Sequence, residues 1–379
     1  MAASGSEANA ATGRVVLFGA TGYTGELTAR AMVKRGMKPL LAARRRDALE
    51  ALAAELGGLE TAVADVADPS SIRSLVERGD SLVTTVGPFA RWGDPALDAA
   101  IDAGAHYIDS TGEPPFVRRV FEDAAPRAEA SGTVAMTALG YDWVPGNLTG
   151  ALALREAEGA AGVRIGYFAT GSGMGGMSGG TRASLMGVLM EPSFQFRDGS
   201  VVTERGAKQI HSFGVGGRQR QGISVGTSEA FSLPRVYPGV RDVEVYLGWF
   251  GRQSRAMQGF SLVGSGLAKV PGFNKATGAA VQRFVKTSTG GSDEEARKSG
   301  GSAFVAEALD SSGNVIATVG TEGVSGYEFT GLFLAWAAEA TANGEAAQAG
   351  AGARGPVEAF GLDRLEAGCA ECGIARSDS

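Results

Sequence analysis

The segment that most constrains this chain is Gly19-Ala20-Thr21-Gly22-Tyr23-Thr24-Gly25. It stands directly behind the apolar run Val15-Val16-Leu17-Phe18 and opens a helical pattern over 27–34. Four consecutive apolar residues predict a strand buried on both faces. The three glycines suit a strand–turn–helix that receives phosphates. Gly19 permits the tight turn, Gly22 lets the backbone approach a pyrophosphate, and Gly25 lets helix and strand pack closely. The start of the helix then offers N–H groups and the positive end of its dipole to the anion. Thr21, Tyr23 and Thr24 complete the loop and are taken with the glycines as cofactor-contacting positions. A glycine triplet alone is a weak signal; its place after the first strand of an alternating series makes it a strong one.

That series continues to about residue 139. Strands are expected over 39–43, 61–64, 81–86, 106–108 and 133–138, and helices over 69–77, 95–103 and 115–130. Asp68 is placed as the N-cap of the helix at 69, and Asp47-Ala48-Leu49-Glu50 has the form of a capping box opening another. Strand–helix alternation with short connections predicts an α/β fold, a Rossmann-type doubly wound parallel sheet. After Pro145 the rhythm changes. A glycine-rich stretch covers 171–180, loose alternation 199–226, a strand 242–250, and a hairpin 304–309 and 315–319 about the polar turn 310–314. A helix follows at 328–342, and 287–301 reads as a charged loop. The expected organisation is a disordered tail at 1–12, a dinucleotide-binding domain at 13–145, an inserted α+β domain for substrate or dimerisation at 146–327, and C-terminal helices at 328–379 returning to the first domain.

The second strand indicates which dinucleotide. An NAD site places Asp or Glu there to bond the ribose 2′-hydroxyl, whereas this strand runs into Arg44-Arg45-Arg46. A guanidinium suits a 2′-phosphate, so the cofactor is read as NADP, with Arg44 the preferred ligand and Arg45 beside it. Asp47, the nearest acid, is taken up by its capping role. Ligands gather beyond the carboxyl ends of parallel strands. Asp65 is therefore expected near the adenine, or else as a loop residue bonding its own backbone. Val86, Gly87 and Pro88, with Phe89, are expected on the nicotinamide side.

Composition narrows the remaining classes. The 379 residues are 44% hydrophobic, enough for two domains with a buried core. A formal charge of −6 implies no broad basic surface for nucleic acid. The two cysteines, Cys369 and Cys372, argue against a disulfide-stapled secreted fold, and their lone C-x-x-C lacks the second pair of a metal site, so no metal is expected. No signal segment opens the chain and no apolar run is long enough to cross a bilayer, so a soluble cytoplasmic protein is expected.

The motifs GATGYTG (19–25), AARRR (42–46), VGPFARWGDPALDAAIDAGAHYIDSTGE (86–113) and GYDWVPGNL (140–148) together resemble the saccharopine dehydrogenase-like NAD(P)-dependent oxidoreductases. They resemble especially the branch of mycobacterial trans-acting enoyl reductases and saccharopine dehydrogenase-like oxidoreductases. Ser178-Gly179-Gly180-Thr181 with Ser184 is similar to a motif of the same branch. The resemblance spans about 13–147 and is patchy beyond. It implies a split architecture and NAD(P)H-dependent reduction of a C=N or C=C bond in a small-molecule substrate. A non-catalytic NADP sensor, or a synthase borrowing the cofactor transiently, is the alternative, and a homodimer is left open. The Tyr-x-x-x-Lys of short-chain dehydrogenases is absent, because no tyrosine has Lys four positions later.

Reduction also needs a proton donor. Tyr141 and Asp142 follow the sixth strand and are the candidate catalytic pair. His106, Tyr107, Asp109 and Glu113 lie in or beside the fifth strand, with His106 weighted toward a structural role. His211 is taken as surface. Ser178 to Ser184 could present a helix N-terminus to an anionic group, or be a flexible capped loop.

Overall fold

The computed structural model describes residues 13–171, 192–249, 253–267 and 300–377. The tail at 1–12, the Ser178–Ser184 motif and nearly all of the 287–301 loop lie outside the described residues. Short segments become the strands of a parallel sheet: β1 Val15–Phe18, β2 Leu40–Ala43, β3 Thr61–Val63, β4 Ser81–Thr84, β5 His106–Asp109 and β6 Val134–Met136, with β1, β2, β4 and β6 buried throughout and β3 an exposed edge strand. Their order is β3-β2-β1-β4-β5-β6, with every pairing parallel. The strand order reverses between β1 and β4, the switch point where doubly wound sheets receive ligands. A seventh strand, β15 (Gly352–Ala353), joins β6 in parallel from near the end of the chain.

Helices Tyr23–Lys34, Arg46–Glu55, Pro69–Arg73, Asp94–Ala103 and Pro114–Arg119 connect these strands, the last running through a π-helical turn at Val120–Ala124 into Ala125–Ser131. Asp68 caps its helix as expected, accepting the Ser70 N–H at 3.1 Å. The capping box expected from Asp47 to Glu50 does not form. That helix starts two residues earlier, with Arg45 at the N-cap, and Glu50 instead pairs with Arg46 at 3.5 Å along the same face. Asp47 sits in the first turn, where its charge still suits the helix dipole.

A second, mixed sheet contains β7 (Gly162–Gly171), β8 (Pro192–Arg197), β9 (Ser200–Arg205), β10 (Ile210–Val215), β11 (Arg218–Ser224), β12 (Asp242–Leu247), β13 (Gly300–Leu309) and β14 (Val315–Gly323). β13 and β14 form the expected hairpin, its turn held by Asp310 Oδ1, which accepts the Ser312 and Asn314 N–H groups. A last strand, β16 (Ile374–Arg376), pairs antiparallel with β14.

Helix Val144–Glu156 joins the two sheets. Every residue from Val144 to Leu154 is buried: Gly146 lies against Tyr167 and Glu229, and Gly150 against Ile165 and Leu233. Helix Gly326–Ala342 returns to the first sheet, where Gly331 packs against Leu27 of the first helix. No helix among the described residues is long and apolar enough to cross a membrane.

Candidate active site

The glycine loop has the geometry its spacing requires. Gly19 has φ +93°, and an added Cβ would lie 2.7 Å from Thr85 Oγ1 and 2.8 Å from Val86 Cγ2, so neither its backbone nor its surroundings accept a side chain. A Cβ on Gly25 would lie 2.1 Å from the Gly19 carbonyl oxygen, which fixes the close helix–turn packing. Gly22 differs. It is the N-cap of the first helix in extended conformation, and its only near contact would be the Gly19 oxygen at 3.3 Å. Its outer face, beside Thr21, Tyr23 and Thr24, is therefore open to a phosphate. Thr85 Oγ1 donates to the Gly19 carbonyl at 3.2 Å, tying the loops after β1 and β4 across the switch point.

At the end of β2, Arg44, Arg45 and Arg46 are all exposed. Arg46 pairs with Glu50 along its own helix. Arg44 and Arg45 have no carboxylate partner among the described residues, which leaves two guanidinium groups at the edge where a 2′-phosphate would lie. Asp65, beyond β3, takes the local option: its Oδ1 accepts the Ala67 N–H at 2.9 Å, and its backbone is held by Ser71. Its Oδ1 is thus engaged by its own turn.

Beyond β4, Val86, Gly87 and Pro88 lead into a short helix, Phe89–Trp92. A Cβ on Gly87 would meet only Phe89, at 3.5 Å, so this turn also has open space beside it. Glu113 holds it from below. Its Oε1 accepts the Phe89 N–H at 2.8 Å and its Oε2 the Ala90 N–H at 3.0 Å. The Glu113 N–H donates to Thr111 Oγ1, and the Thr111 N–H to Asp109 Oδ1, which also accepts from Ala138. A relay of short side chains therefore spans the ends of β4, β5 and β6.

Tyr141 and Asp142 follow β6 at the same edge, and both are half-buried. The Tyr141 ring lies near-parallel to Trp249, with centroids 6.5 Å apart, and close to Phe304 and Tyr167. Burial pushes its hydroxyl pKa up, partly offset by Ser302 and Trp249. The Tyr141 N–H donates to Thr330 Oγ1, so the start of helix Gly326–Ala342 braces this turn. Asp142 Oδ1 is sealed from solvent and has no hydrogen-bond partner among the described residues. A Cβ on Gly112 would fall 2.5 Å from Asp142 Oδ2, so only glycine there leaves room for the carboxyl group. Desolvation pushes that group up to about 7.

Beneath this turn is a buried polar layer. The Tyr167 hydroxyl accepts the Gly146 N–H and lies 2.7 Å from Glu229 Oε1 and 3.0 Å from the Trp143 carbonyl oxygen. Asn147 donates to that same carbonyl and to Ser228 Oγ, and accepts from Ser232. Glu229, fully buried, is pushed up to about 7 by desolvation.

The remaining candidates lie elsewhere or are occupied. His106 is at the start of β5, away from the carboxyl edge, where Nδ1 accepts the Val134 N–H and burial lowers its pKa. Tyr107 and Asp109 are fully buried. Burial pushes the Tyr107 hydroxyl up and the Asp109 carboxyl up to about 6. Both oxygens of Glu113 already accept N–H groups, so it does not present a free acid. His211 is not a simple surface residue: it is half-buried in β10, with Nε2 3.0 Å from Glu307 Oε2 and its ring against Phe213 and Tyr246. Cys369 and Cys372 are buried free thiols, both pushed up by desolvation. Among the described residues no group of three or more His, Cys, Asp or Glu could hold a metal.

Sequence reasoning did not assign Gly112, Thr85, Thr330, Trp249 or Phe304 to this edge. The one available signal was the 109–113 segment, whose alternating Asp, Thr and Glu suit short side-chain-to-backbone bonds.

A parallel sheet with the order β3-β2-β1-β4-β5-β6, a glycine turn after β1 and free arginines after β2 defines a dinucleotide-binding domain of the NADP-dependent class. Residues 15–136 match the family model of the saccharopine dehydrogenase NADP binding domain. A trans-acting enoyl reductase of Mycobacterium leprae is 36% identical over 140 residues, 35% of this chain and 34% of its own. A Mycobacterium tuberculosis protein provisionally given the same name is 36% identical over 188 residues, 47% of this chain and 45% of its own. The chain thus matches less than half the length of these relatives. Across almost all of its length it shares the fold of the saccharopine dehydrogenase (L-Glu forming) of Saccharomyces cerevisiae. That likeness has a TM-score of 0.59 at 12% identity and covers 96% of this chain and 99% of that one.

Proposed function

We propose that this chain is an NADPH-dependent reductase that saturates a C=C bond of an acyl or other small apolar substrate, with Asp142 delivering the proton. The observation that carries the reading is the Asp142 carboxyl group. It stands at the carboxyl edge of the sheet with one oxygen unpartnered, and it is pushed up to about 7. A group poised near neutral pH can hold and release a proton during turnover. The curated relatives named trans-acting enoyl reductases favour C=C over C=N.

The cofactor's requirements fit the residues present. The open face of Gly22 would take the pyrophosphate, with Gly19, Thr21, Tyr23, Thr24 and Gly25 shaping the turn. Arg44 and Arg45 would take the 2′-phosphate, Asp65 would shape the adenine side through its turn, and Val86, Gly87 and Pro88 would line the nicotinamide. When bound, NADPH supplies the hydride that such a reduction requires. The chain's residues do the rest. Tyr141, Trp249 and Phe304 form an aromatic wall that limits water and suits an apolar chain. Asp142 gives its proton to the second carbon and recovers one from solvent after product leaves, and Tyr141 contributes to the wall beside it. In this reading 13–145 is the NADP domain, 146–327 the substrate domain, and 328–379 the returning segment.

NADPH oxidation measured against enoyl thioesters and imines tests the reaction class, and faster turnover of the thioesters is expected. Asp142→Asn should lower kcat by about 10²–10⁴-fold with NADPH affinity unchanged. Full activity of that variant on an identified substrate would remove Asp142 from the mechanism. NADPH binding without turnover of any substrate would favour a sensor.

A further inference from the structure

Glu113 occupies an unusual position. Its carbonyl oxygen accepts the Phe116 and Val117 N–H groups and so opens helix Pro114–Arg119, while its carboxylate accepts both N–H groups that open Phe89–Trp92. One residue therefore ties the start of the helix after β5 to the start of the helix after β4. The Phe89 and Phe116 rings, 5.7 Å between centroids, pack the same two segments together. The carboxylate is itself placed by the Thr111 hydroxyl, which takes the Glu113 N–H, and through Thr111 by the buried Asp109. Gly112, between them, makes room for Asp142.

We infer that Glu113 is a positioning residue for the nicotinamide end of the cofactor: its carboxylate fixes the Val86–Pro88 turn by holding the next two backbone N–H groups, and the same relay sets that turn relative to Asp142. The inference rests on the reading that the Val86–Pro88 turn lines the nicotinamide. Two charge-assisted bonds to consecutive N–H groups restrain both the height and the tilt of the turn, which a single bond would not do. Hydride transfer needs its reacting atoms placed to within a fraction of an ångström, so this turn is where rigidity matters most.

Glu113→Gln tests the inference with almost no change in volume. The amide keeps one acceptor but turns its NH₂ toward an N–H donor, which breaks one of the two bonds. Two ligands are titrated: NADPH, by its fluorescence, and adenosine 2′,5′-bisphosphate, by calorimetry. The second lacks the nicotinamide half and reports only the Gly22 and Arg44 side of the site. Wild-type binding of both ligands establishes the cofactor reading independently of Glu113. In Glu113→Gln, NADPH should weaken by about tenfold, the worth of one charge-assisted bond, while the bisphosphate binds as before. Unchanged bisphosphate binding also shows that the domain is folded. With substrate, kcat should fall along with NADPH affinity, because the ring is held less firmly. Equal weakening of the two ligands, or weakening of neither, overturns the inference.

Discussion

Replacing Gly112 with alanine perturbs Asp142 without altering Asp142 itself. Gly112 does not have a positive φ, so alanine adds no backbone strain there. Its Cβ would lie 2.5 Å from Asp142 Oδ2, whereas ordinary contact begins near 3.4 Å, so the carboxyl group must retreat by about 0.9 Å. A displacement of that size in a reacting group lowers turnover by about 10²-fold, since effective concentration falls steeply with misalignment. Steady-state NADPH oxidation on an identified substrate reads the loss in kcat. Parallel NADPH titration should show unchanged affinity, because Gly112 touches neither the glycine loop nor the arginines. Serine should behave like alanine or worse. Unchanged turnover in Gly112→Ala would refute the reasoning, as would a loss explained wholly by weaker NADPH binding.

Other outcomes follow from the same geometry. The general-acid role requires protonated Asp142, so kcat should be highest at acid pH and fall as pH rises through about 7; Asp142→Asn should remove that dependence. Glu229, also pushed up to about 7, binds its proton more tightly folded than unfolded. Its stabilising contribution is therefore complete at pH below about 4.5 and is lost as pH climbs toward 7. Glu229→Gln should flatten the fall in thermal stability between about pH 5 and about pH 8, read by calorimetry. Arg44→Ala should weaken NADPH by about ten- to a hundredfold and leave NADH nearly unaffected; equal losses would remove Arg44 from the 2′-phosphate site. Gly22→Val should fold normally, because the position is extended and uncrowded, yet lose NADPH binding. Gly25→Ala should instead lower the melting temperature, because its Cβ meets the Gly19 carbonyl.

The parallel sheet was legible because its central strands are buried on both faces and read as apolar runs, Val15–Phe18 above all, set in a strand–helix alternation. Starts and ends of helices were less legible. Tyr23 to Glu26 carry no apolar period, so the first helix was placed four residues late. Helix Val144–Glu156 left no trace because it is covered on all sides from Val144 to Leu154, and an element without a solvent face has no amphipathic stripe to read. At the site, the glycine turn and the arginines were visible because local spacing encodes them. Trp249, Phe304 and Thr330 were not, since they reach the edge from the second sheet and the returning helix, and only the tertiary fold brings them to Tyr141.

The last strands carry a consequence for how this chain is made. β15 borders the first sheet and β16 the second, and both come from residues 352–376, after every other described strand of either sheet has been made. While a ribosome is still extending the chain, β6 and β14 each remain an open edge able to pair with another molecule. Neither sheet is finished until residues 352–376 have been made, so newly made chains pass through a stage of heightened adhesiveness. Stop codons placed just before Gly352 should therefore yield protein that accumulates in inclusion bodies, even though every residue assigned here to cofactor or proton transfer would still be present.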